Sequence, residues 1–264
     1  MASRGVLGVL VLAFGLFFLL PFVGLLERAA EDNRTWDLAT SDVALDALRL
    51  SLVTSTIATM LAVLLGTPVA YLLSRHSFPG RAVVDALIDL PIILPPTVAG
   101  VALLTAFGRR GLVGEPIEEW TGLTFGFTTT AVVMAQLLVA GPFYVRAART
   151  GFDGVSQEFE QVAATLGAGR WRTFVRVVTP LARPALLAGV VLCWARAMGE
   201  LGATLLFAGN LQGETQTMPL AIIQAFESSS LGLPGAIALS VILICVAFAI
   251  LVVLRLVQPS RYEP

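Results

Sequence analysis

The stretch SQEFEQVAATLGAGRWRTFVRVVTP, from Ser156 to Pro180, is the longest polar interruption in the very apolar second half of the chain. Ser156 can cap a short helix, and Glu158 and Glu160 fall in its first turn, where the helix dipole favours carboxylates. The stretch therefore predicts an amphipathic helix at the boundary between membrane and water. Its apolar face repeats at helical spacing and consists of Phe159, Val162, Ala163 and Leu166.

A second amphipathic helix is predicted after Gly167 and Gly169, since glycines in the left-handed conformation commonly end a helix. Thr179 and Pro180 then offer a cap and a first-turn proline for the helix that follows. The segment 156–179 is thus expected to form a helix, a glycine turn and a second helix. In the second helix, one side carries Trp171, Phe174, Val175 and Val178, and the other carries Arg170, Arg172 and Arg176.

The composition of the whole chain is that of an integral membrane protein, with 56% hydrophobic residues, 13% charged residues and a mean hydropathy of +0.84. About 20 apolar residues span a bilayer as a helix. We therefore predict an all-α protein with a single transmembrane domain over 1–264. The first segment is longer than the apolar part of a signal peptide and lacks a clear cleavage site, so we expect it to be retained. The six predicted spans are 6–26, 47–73, 83–107, 128–148, 180–208 and 233–257.

Several kinds of chemistry lack the residues that they need. All 17 basic residues are arginine, so the chain has no P-loop lysine and no lysine for a Schiff base. His76 is the only histidine, which leaves little material for a catalytic triad or a histidine metal site. A net charge of −1 argues against nucleic acid as a partner. We expect no catalytic residue, metal or cofactor in this chain.

The distribution of arginine predicts the orientation, because short cytoplasmic loops are enriched in basic residues. The loops on one side hold few arginines, among them Arg28, Arg109 and Arg110, and several carboxylates. Both termini are therefore expected inside. The cytoplasmic side would hold Arg75, Arg81, Arg146, Arg149, Arg170, Arg172, Arg176 and Arg183.

Two places inside the predicted spans are candidates for a pore or a gate. Pro91, Pro95 and Pro96 interrupt the third span, which membrane proteins tolerate where protein or a water-filled cavity receives the freed backbone groups. A plain structural kink would explain them equally. In the fifth span, charges in the membrane usually face a bundle interior or a watery path. Arg196 and Glu200 are four residues apart there and can pair.

The spacing from Gln161 to Pro180 resembles the cytoplasmic signature of binding-protein-dependent ABC importer permeases. That signature has a glutamate, two alanines, three further residues and a glycine, with a proline thirteen positions later. Gln161, Val162, Ala163, Gly167 and Pro180 occupy its positions, so glutamine replaces the glutamate, with Glu160 just before it, and valine replaces the first alanine. Two further stretches, 90–100 and 195–219, are similar to the permeases of molybdate importers and, more loosely, of tungstate and sulfate importers.

The resemblance implies the fold of type I ABC importer permeases and a role in translocating molybdate or a related oxyanion across the plasma membrane of a prokaryote. Two permease copies would form the pathway, separate ATPase subunits would carry ATP and Mg²⁺ at the cytoplasmic face, and an extracytoplasmic protein would deliver the oxyanion. A short coupling helix would enter a groove of the ATPase. Its residues here would be Glu158, Phe159, Glu160, Gln161, Ala163, Ala164, Leu166 and Gly167.

A tetrahedral dianion favours a path with hydrogen-bond donors and no strong trap. The hydroxyls of Thr97 and Thr204 are candidate donors, and Glu200 would neutralise much of the charge on Arg196. The residues that we predict for the pore or gate are Pro95, Pro96, Thr97, Arg196, Glu200 and Thr204.

Alternatives remain open at this stage. Within the same class, the substrate could be tungstate, sulfate or thiosulfate. An ion-coupled secondary transporter would work without an ATPase, although the chain shows no internal repeat of the kind common in such proteins. An intramembrane enzyme would need a catalytic constellation; Asp85 and Asp89 are one helical turn apart, but we expect them to face water or arginines.

Overall fold

The computed structural model describes residues 2–33 and 35–257, and every regular element in that part of the chain is a helix. The all-α prediction is confirmed. Met1, Arg34 and residues 258–264, which end the predicted 1–264 domain, lie outside the described residues. The elements are α1 (Ala2–Glu31), α2 (Thr35–Ala39), α3 (Asp42–Arg75), α4 (Arg81–Ile93), α5 (Pro96–Phe107), α6 (Gly114–Thr121), α7 (Thr129–Asp153), α8 (Gln157–Thr165), α9 (Arg170–Thr173), a π-helical turn (Phe174–Val178), α10 (Thr179–Met198), α11 (Gly202–Ala208), α12 (Met218–Glu227) and α13 (Gly232–Val257).

Within the described ranges, five helices are long and apolar enough to cross a membrane, and the pair α4–α5 makes a sixth span when its two parts are counted together. Four of the five match the predicted spans 6–26, 47–73, 128–148 and 233–257, with α7 beginning one residue later than predicted. Helix α3 extends beyond the apolar stretch at both ends, from Asp42 to Arg75. Polar residues support these extra turns, since the Ser41 hydroxyl accepts a hydrogen bond from the Ala44 N–H at 3.4 Å.

The predicted span 83–107 consists of two helices, α4 and α5, which meet at an angle of 116° at the predicted proline interruption. The ring of a proline clashes with the backbone of the residue before it and disfavours the helical region there. Leu94 and Pro95, which both precede a proline, accordingly have ψ values of 143° and 135°. Pro96 then opens α5 at a position where a missing N–H does no harm. Pro91, by contrast, lies within α4.

The segment predicted as the span 180–208 differs from the prediction in two places: it continues an earlier helix at its start and is interrupted in its middle. Helical structure begins at Arg170 and continues to Met198, so Thr179 is an ordinary helical residue and not a cap. The π-helical turn, in which the Thr179 N–H donates to the Phe174 carbonyl, precedes Pro180 and gives its ring the room that a regular α-turn would deny. The helix stops at Gly199 and resumes as α11 at Gly202.

Helices α3, α7 and α10 form the centre of the bundle, where small side chains let helix backbones approach closely. Glycines mark two of the close contacts. A Cβ atom at Gly189 would lie 2.8 Å from the Cβ of Ala147, and one at Gly66 would lie 2.9 Å from Cγ2 of Val145. The cluster also buries alanines from all three helices, namely Ala62, Ala70, Ala140, Ala148, Ala182 and Ala197.

The bundle has two ends of different character. At the arginine-rich end, α8 is bonded to the last turns of α3. At the opposite end, the segment before α7 is joined to α11, since the Phe127 N–H donates to the Phe207 carbonyl at 3.1 Å. Helix α12 is joined to α3, since the Met218 N–H donates to the Ser51 hydroxyl at 2.7 Å. The segment 220–227, predicted to lie at the outer surface or to dip in and return, belongs to α12. Its residues Leu220, Ala221 and Ala225 are buried.

Replacing Gly189 by alanine should destabilise the bundle by about 1–3 kcal/mol, because the new methyl group would overlap Ala147. Gly141→Ala is the matched control on α7, since its Cβ would lie 3.5 Å from Leu137 Cδ1, an ordinary contact. The melting temperature of the purified chain in detergent should fall for the first variant and not for the second. Equal melting temperatures for the two variants would contradict the close packing of α10 on α7.

Candidate functional site

Helix α8 forms for the local reasons that its sequence predicts. The Ser156 hydroxyl accepts a hydrogen bond from the Glu158 N–H at 3.3 Å, and Glu158 and Glu160 occupy the first turn. Gly167 has a φ of +80°, in the left-handed region where glycine avoids the strain of a side chain. Gly169 was expected to share this role, but its φ of −68° and ψ of 159° are extended and it instead precedes α9.

The predicted apolar face of α8 is divided between the protein and solvent. Ala163 is buried, whereas the side chains of Phe159, Val162 and Leu166 are exposed, with Leu166 83% exposed. We call these three residues the α8 apolar patch. Adjacent exposed apolar side chains on a polar helix are typical of a surface that another protein covers.

The other side of α8 is fastened to α3 through Glu160. Its Oε1 accepts a hydrogen bond from Arg75 Nε at 2.6 Å, and its Oε2 accepts one from the Tyr71 hydroxyl at 2.9 Å. Arg75 Nη2 also donates to the Val155 carbonyl at 3.0 Å, just before α8. The Arg75 side chain is 8% exposed and that of Glu160 21% exposed, so solvent weakens this pair little.

Sequence reasoning missed Arg75 and Tyr71, which lie 85 and 89 residues from Glu160. The family signature does not include these two residues. Arg75 is, however, the charged residue at which the long apolar run of α3 ends. Gln161 holds the position of the signature glutamate, yet Glu160 makes the ion pair. Glu158, Gln161 and Ala164 are exposed on α8.

The apolar residues predicted to share one face of the second helix do not lie on one surface. Trp171 is 76% exposed and Val175 44% exposed, whereas Val178 is fully buried. The π-helical turn explains the difference, because its extra residue rotates α9 relative to α10. Phe174 lies at the turn and packs on Tyr71 and Phe152.

The two breaks in the membrane helices lie against each other. A Cβ atom on Gly202 would lie 3.1 Å from Pro96 Cβ and 3.2 Å from the Thr97 nitrogen, and one on Gly100 would lie 2.9 Å from Ala203 Cα. The start of α5 therefore packs closely on the start of α11. We call this region the paired breaks.

Arg196 and Glu200 form the predicted ion pair at the paired breaks, with Arg196 Nη1 2.7 Å from Glu200 Oε2. Glu200 does not continue the helix of Arg196, as its spacing suggested, but lies in the break and accepts a hydrogen bond from the Ala203 N–H at 2.9 Å through Oε1. Its side chain is 1% exposed, whereas that of Arg196 is 28% exposed. The Glu200 carboxylate thus pairs with Arg196 and also accepts a backbone hydrogen bond at the start of α11.

The other predicted pore or gate residues differ in exposure. Pro95 and Thr97 are exposed and Pro96 is half-buried. Thr204 is fully buried, and its hydroxyl has no hydrogen-bond partner in the described part of the chain. The structure thus brings Pro95, Pro96, Thr97, Arg196 and Glu200 to one region, but it does not place the Thr204 hydroxyl on an open surface.

Asp85 and Asp89 do not form a carboxylate pair of the kind that an enzyme would use. Arg149 Nη1 lies 2.5 Å from Asp85 Oδ1, and Arg146 Nε lies 2.6 Å from Asp89 Oδ1. Each carboxylate accepts a hydrogen bond from an arginine and joins α4 to α7. The expectation that these residues face arginines is confirmed.

Comparison with known proteins identifies the family. Residues 62–261 match the family described as "Binding-protein-dependent transport system inner membrane component". The chain belongs to this family. A permease of this family is a transport subunit, and the chain is accordingly a multi-pass membrane protein of the inner membrane.

Several curated relatives are similar over most of the chain. The "Molybdenum transport system permease protein ModB" of Escherichia coli (strain K12) is 41% identical over 213 residues, which cover 81% of this chain and 93% of that protein. ModB of Mycobacterium tuberculosis is 42% identical over 234 residues, 88% and 86% of the two chains. The "Probable sulfate transport system permease protein cysT" of Chlorokybus atmophyticus is 34% identical over 247 residues, 92% and 85% of the two chains.

Solved structures support the fold of ABC importer permeases. A bacterial ABC transporter involved in the import of the acidic polysaccharide alginate matches with a TM-score of 0.74 at 14% identity, covering 96% of this chain and 93% of that one. The MetNI methionine ABC transporter matches with a TM-score of 0.63 at 15% identity, covering 83% and 100% of the two chains. At such identities the likeness concerns the fold.

Glu160→Gln should loosen α8 from α3 by about 1.5–3 kcal/mol, the usual contribution of hydrogen bonds to a charged group. Gln161→Ala is the control, because Gln161 makes no side-chain hydrogen bond among the described residues. Hydrogen exchange of residues 156–168 should accelerate in the first variant and stay unchanged in the second. Faster exchange in the Gln161 variant alone would show that the signature position, and not Glu160, holds α8.

Proposed function

We propose that this permease is the transmembrane subunit of an ATP-driven importer for molybdate or a closely related oxyanion. Two copies would form the pathway, and a separate ATPase and an extracytoplasmic binding protein would complete the assembly. The substrate class rests on the similarity to the ModB proteins of several bacteria. The observation that carries the coupling role is the α8 apolar patch, exposed on a helix that Glu160 fixes to α3.

The arginine-rich end would face the cytoplasm, with both termini inside. This orientation follows from the enrichment of basic residues in cytoplasmic loops. It places α8 and α9 where an ATPase subunit can reach them. The α8 apolar patch would be buried against the ATPase. Gly167 has no side chain, so the turn beside the patch would take up little space in that interface.

Movement of the ATPase would reach the membrane helices through three connections. Helix α8 follows α7 after a turn at Val155, is bound to α3 by the Arg75–Glu160 pair and leads through Gly167 into the rod of α9 and α10. A displacement of α8 would therefore move all three central helices together. At the far end of α10 lie the paired breaks, so the two conformations of the gate would differ there.

The paired breaks are suited to a path that a dianion crosses without being trapped. Arg196 offers a positive charge that Glu200 largely offsets, and Thr97 offers an exposed hydroxyl. Irregular backbone at membrane depth is tolerated where it lines a cavity or is covered by protein. A second copy of the chain facing this region would close the path.

Uptake by reconstituted vesicles tests the proposed function. Vesicles that contain this permease, the ATPase subunit and the binding protein should accumulate labelled molybdate only in the presence of ATP and Mg²⁺. Excess unlabelled tungstate or sulfate then defines the substrate among the oxyanions. Accumulation by vesicles that contain the permease alone would instead support an ion-coupled transporter.

Leu166→Asp should weaken binding of the ATPase subunit while the permease still folds, because Leu166 is 83% exposed and an unpaired carboxylate would be buried on assembly. Loss of an interface hot spot of about 2 kcal/mol corresponds to a roughly 30-fold weaker complex. Leu112→Asp is the matched control, since Leu112 is 84% exposed at the opposite end. The measurement is co-purification with the ATPase. Equal retention by both variants would remove the α8 apolar patch from the interface.

Glu200→Ala should impair uptake more than Glu200→Gln. Alanine leaves Arg196 unpaired and the Ala203 N–H without its acceptor, whereas glutamine keeps an acceptor for that N–H. Breaking a buried pair by removing one partner costs about 3–5 kcal/mol. Uptake rates and melting temperatures of both variants check this order. Uptake at the wild-type rate in Glu200→Ala would reduce the pair to a packing role.

A further inference from the structure

A groove of about 760 Å³ lies between the last turns of α3 and the α8–α9 unit. We call it the α3–α9 groove. Its size falls in the range of about 300–1,000 Å³ that is typical of sites for small molecules. The proposed coupling and gating steps assign no ligand to this groove. Among its lining residues are Pro68, Leu72, Arg75, Arg170, Trp171 and Phe174.

The lining of the groove changes from apolar to basic along α3. Pro68 and Leu72 belong to the apolar span, whereas Arg75 ends it, and the helix rises about 10 Å between Pro68 and Arg75. About one turn before Pro68, the side chains of Leu64 and Leu65 are exposed and continue the apolar surface of α3. In the orientation proposed above, the groove would join the acyl region of the membrane to its polar boundary.

The charge left over in the groove is positive. Glu160, the acidic residue in its lining, is neutralised by Arg75 at 2.6 Å. Arg170 is exposed and forms no ion pair in the described part of the chain. Trp171 stands beside Arg170, and tryptophan is enriched where membrane meets water. A basic groove at that level suits an anionic headgroup.

The groove and the α8 apolar patch use different sides of α8. Gln157, Glu160, Gln161 and Ala164 face the groove. Phe159, Val162 and Leu166, which form the patch, are absent from its lining. An ATPase seated on the patch would therefore leave the groove open to the membrane.

We propose that the α3–α9 groove binds an anionic phospholipid of the inner leaflet. Its phosphate would lie at Arg170 beside Trp171, and one acyl chain would run along Pro68 and Leu72. The proposal rests on the orientation proposed above and adds a lipid dependence to it. A lipid seated there would wedge α9 against α3 and hold the coupling unit at a fixed height in the membrane.

Quenching of Trp171 fluorescence by brominated lipids tests the proposal on the full chain without the ATPase. The chain is placed in nanodiscs of phosphatidylcholine with brominated phosphatidylglycerol or with brominated phosphatidylcholine. The signal of the Trp171→Phe variant is subtracted to isolate Trp171. We expect the anionic lipid to quench Trp171 more strongly at equal mole fraction.

Arg170→Gln should lower that preference about fivefold, the contribution of one basic residue near an anionic surface. Arg172→Gln is the matched control, because Arg172 is exposed two residues away and does not line the groove. Ala168→Phe, which fills the groove without changing the charge, should also lower the preference. An equal loss of the preference in Arg172→Gln would show that basic residues attract the anionic lipid diffusely, without a site in the groove, and would overturn the proposal.

Two further results would also overturn it: equal quenching by both brominated lipids, or protection of Trp171 from both lipids when the ATPase subunit is added. The latter would make the groove part of the ATPase interface. Quenching does not depend on transport, so absence of ATP-driven uptake would contradict the proposed function and leave the lipid site standing.

Discussion

The ion pair between Arg75 and Glu160 is the contact on which the organisation of the arginine-rich end depends. It joins the end of a 34-residue membrane helix to a nine-residue helix that has little hydrophobic contact of its own. Of the apolar residues of α8, Ala163 is buried against the chain, whereas the others face outward. Without Arg75, α8 would keep only the Tyr71 hydrogen bond, the packing of Ala163 and its two chain connections. The arginine is largely buried, so the interaction acts in a medium where charges attract more strongly than in water.

The breaks in the membrane helices follow a second constraint, the need to satisfy backbone groups away from water. At the first break, the Val98 N–H donates to the Pro95 carbonyl at 2.9 Å, so α5 closes its own first turn. At the second break, the Glu200 carboxylate accepts a hydrogen bond from the Ala203 N–H in the first turn of α11. The close approach of Gly100 and Gly202 to the facing helix places one break over the other. The two breaks thus pack against each other.

Much of this architecture could be predicted from the sequence because hydrophobic length and proline position act locally. The spans, the cap at Ser156 and the left-handed Gly167 depend on residues within one or two turns of each other. The Arg75–Glu160 pair could not be predicted, since nothing in the sequence indicates which of 17 arginines meets which carboxylate. The break at Gly199 was missed because Arg196 and Glu200 have the spacing of a continuous helix. The division of the α8 face was missed because periodicity shows which residues are apolar, not what covers them.

The π-helical turn at Phe174–Val178 has a consequence for how the fifth span responds to changes in length. This turn contains one residue more than an α-turn. Compared with a regular helix of the same sequence, it rotates the residues before it by about 100° relative to the residues after it, because each residue of an α-helix contributes that angle. Loss of one residue there would restore a regular helix and leave Trp171 and Val178 in the same relative orientation, because the turn would lose only its extra residue. Loss of one residue between Pro184 and Arg196 would instead rotate Arg196 and Glu200 together by about 100° relative to α9. The helix can therefore absorb a deletion at the π-helical turn without changing the orientation of the ion pair relative to α9.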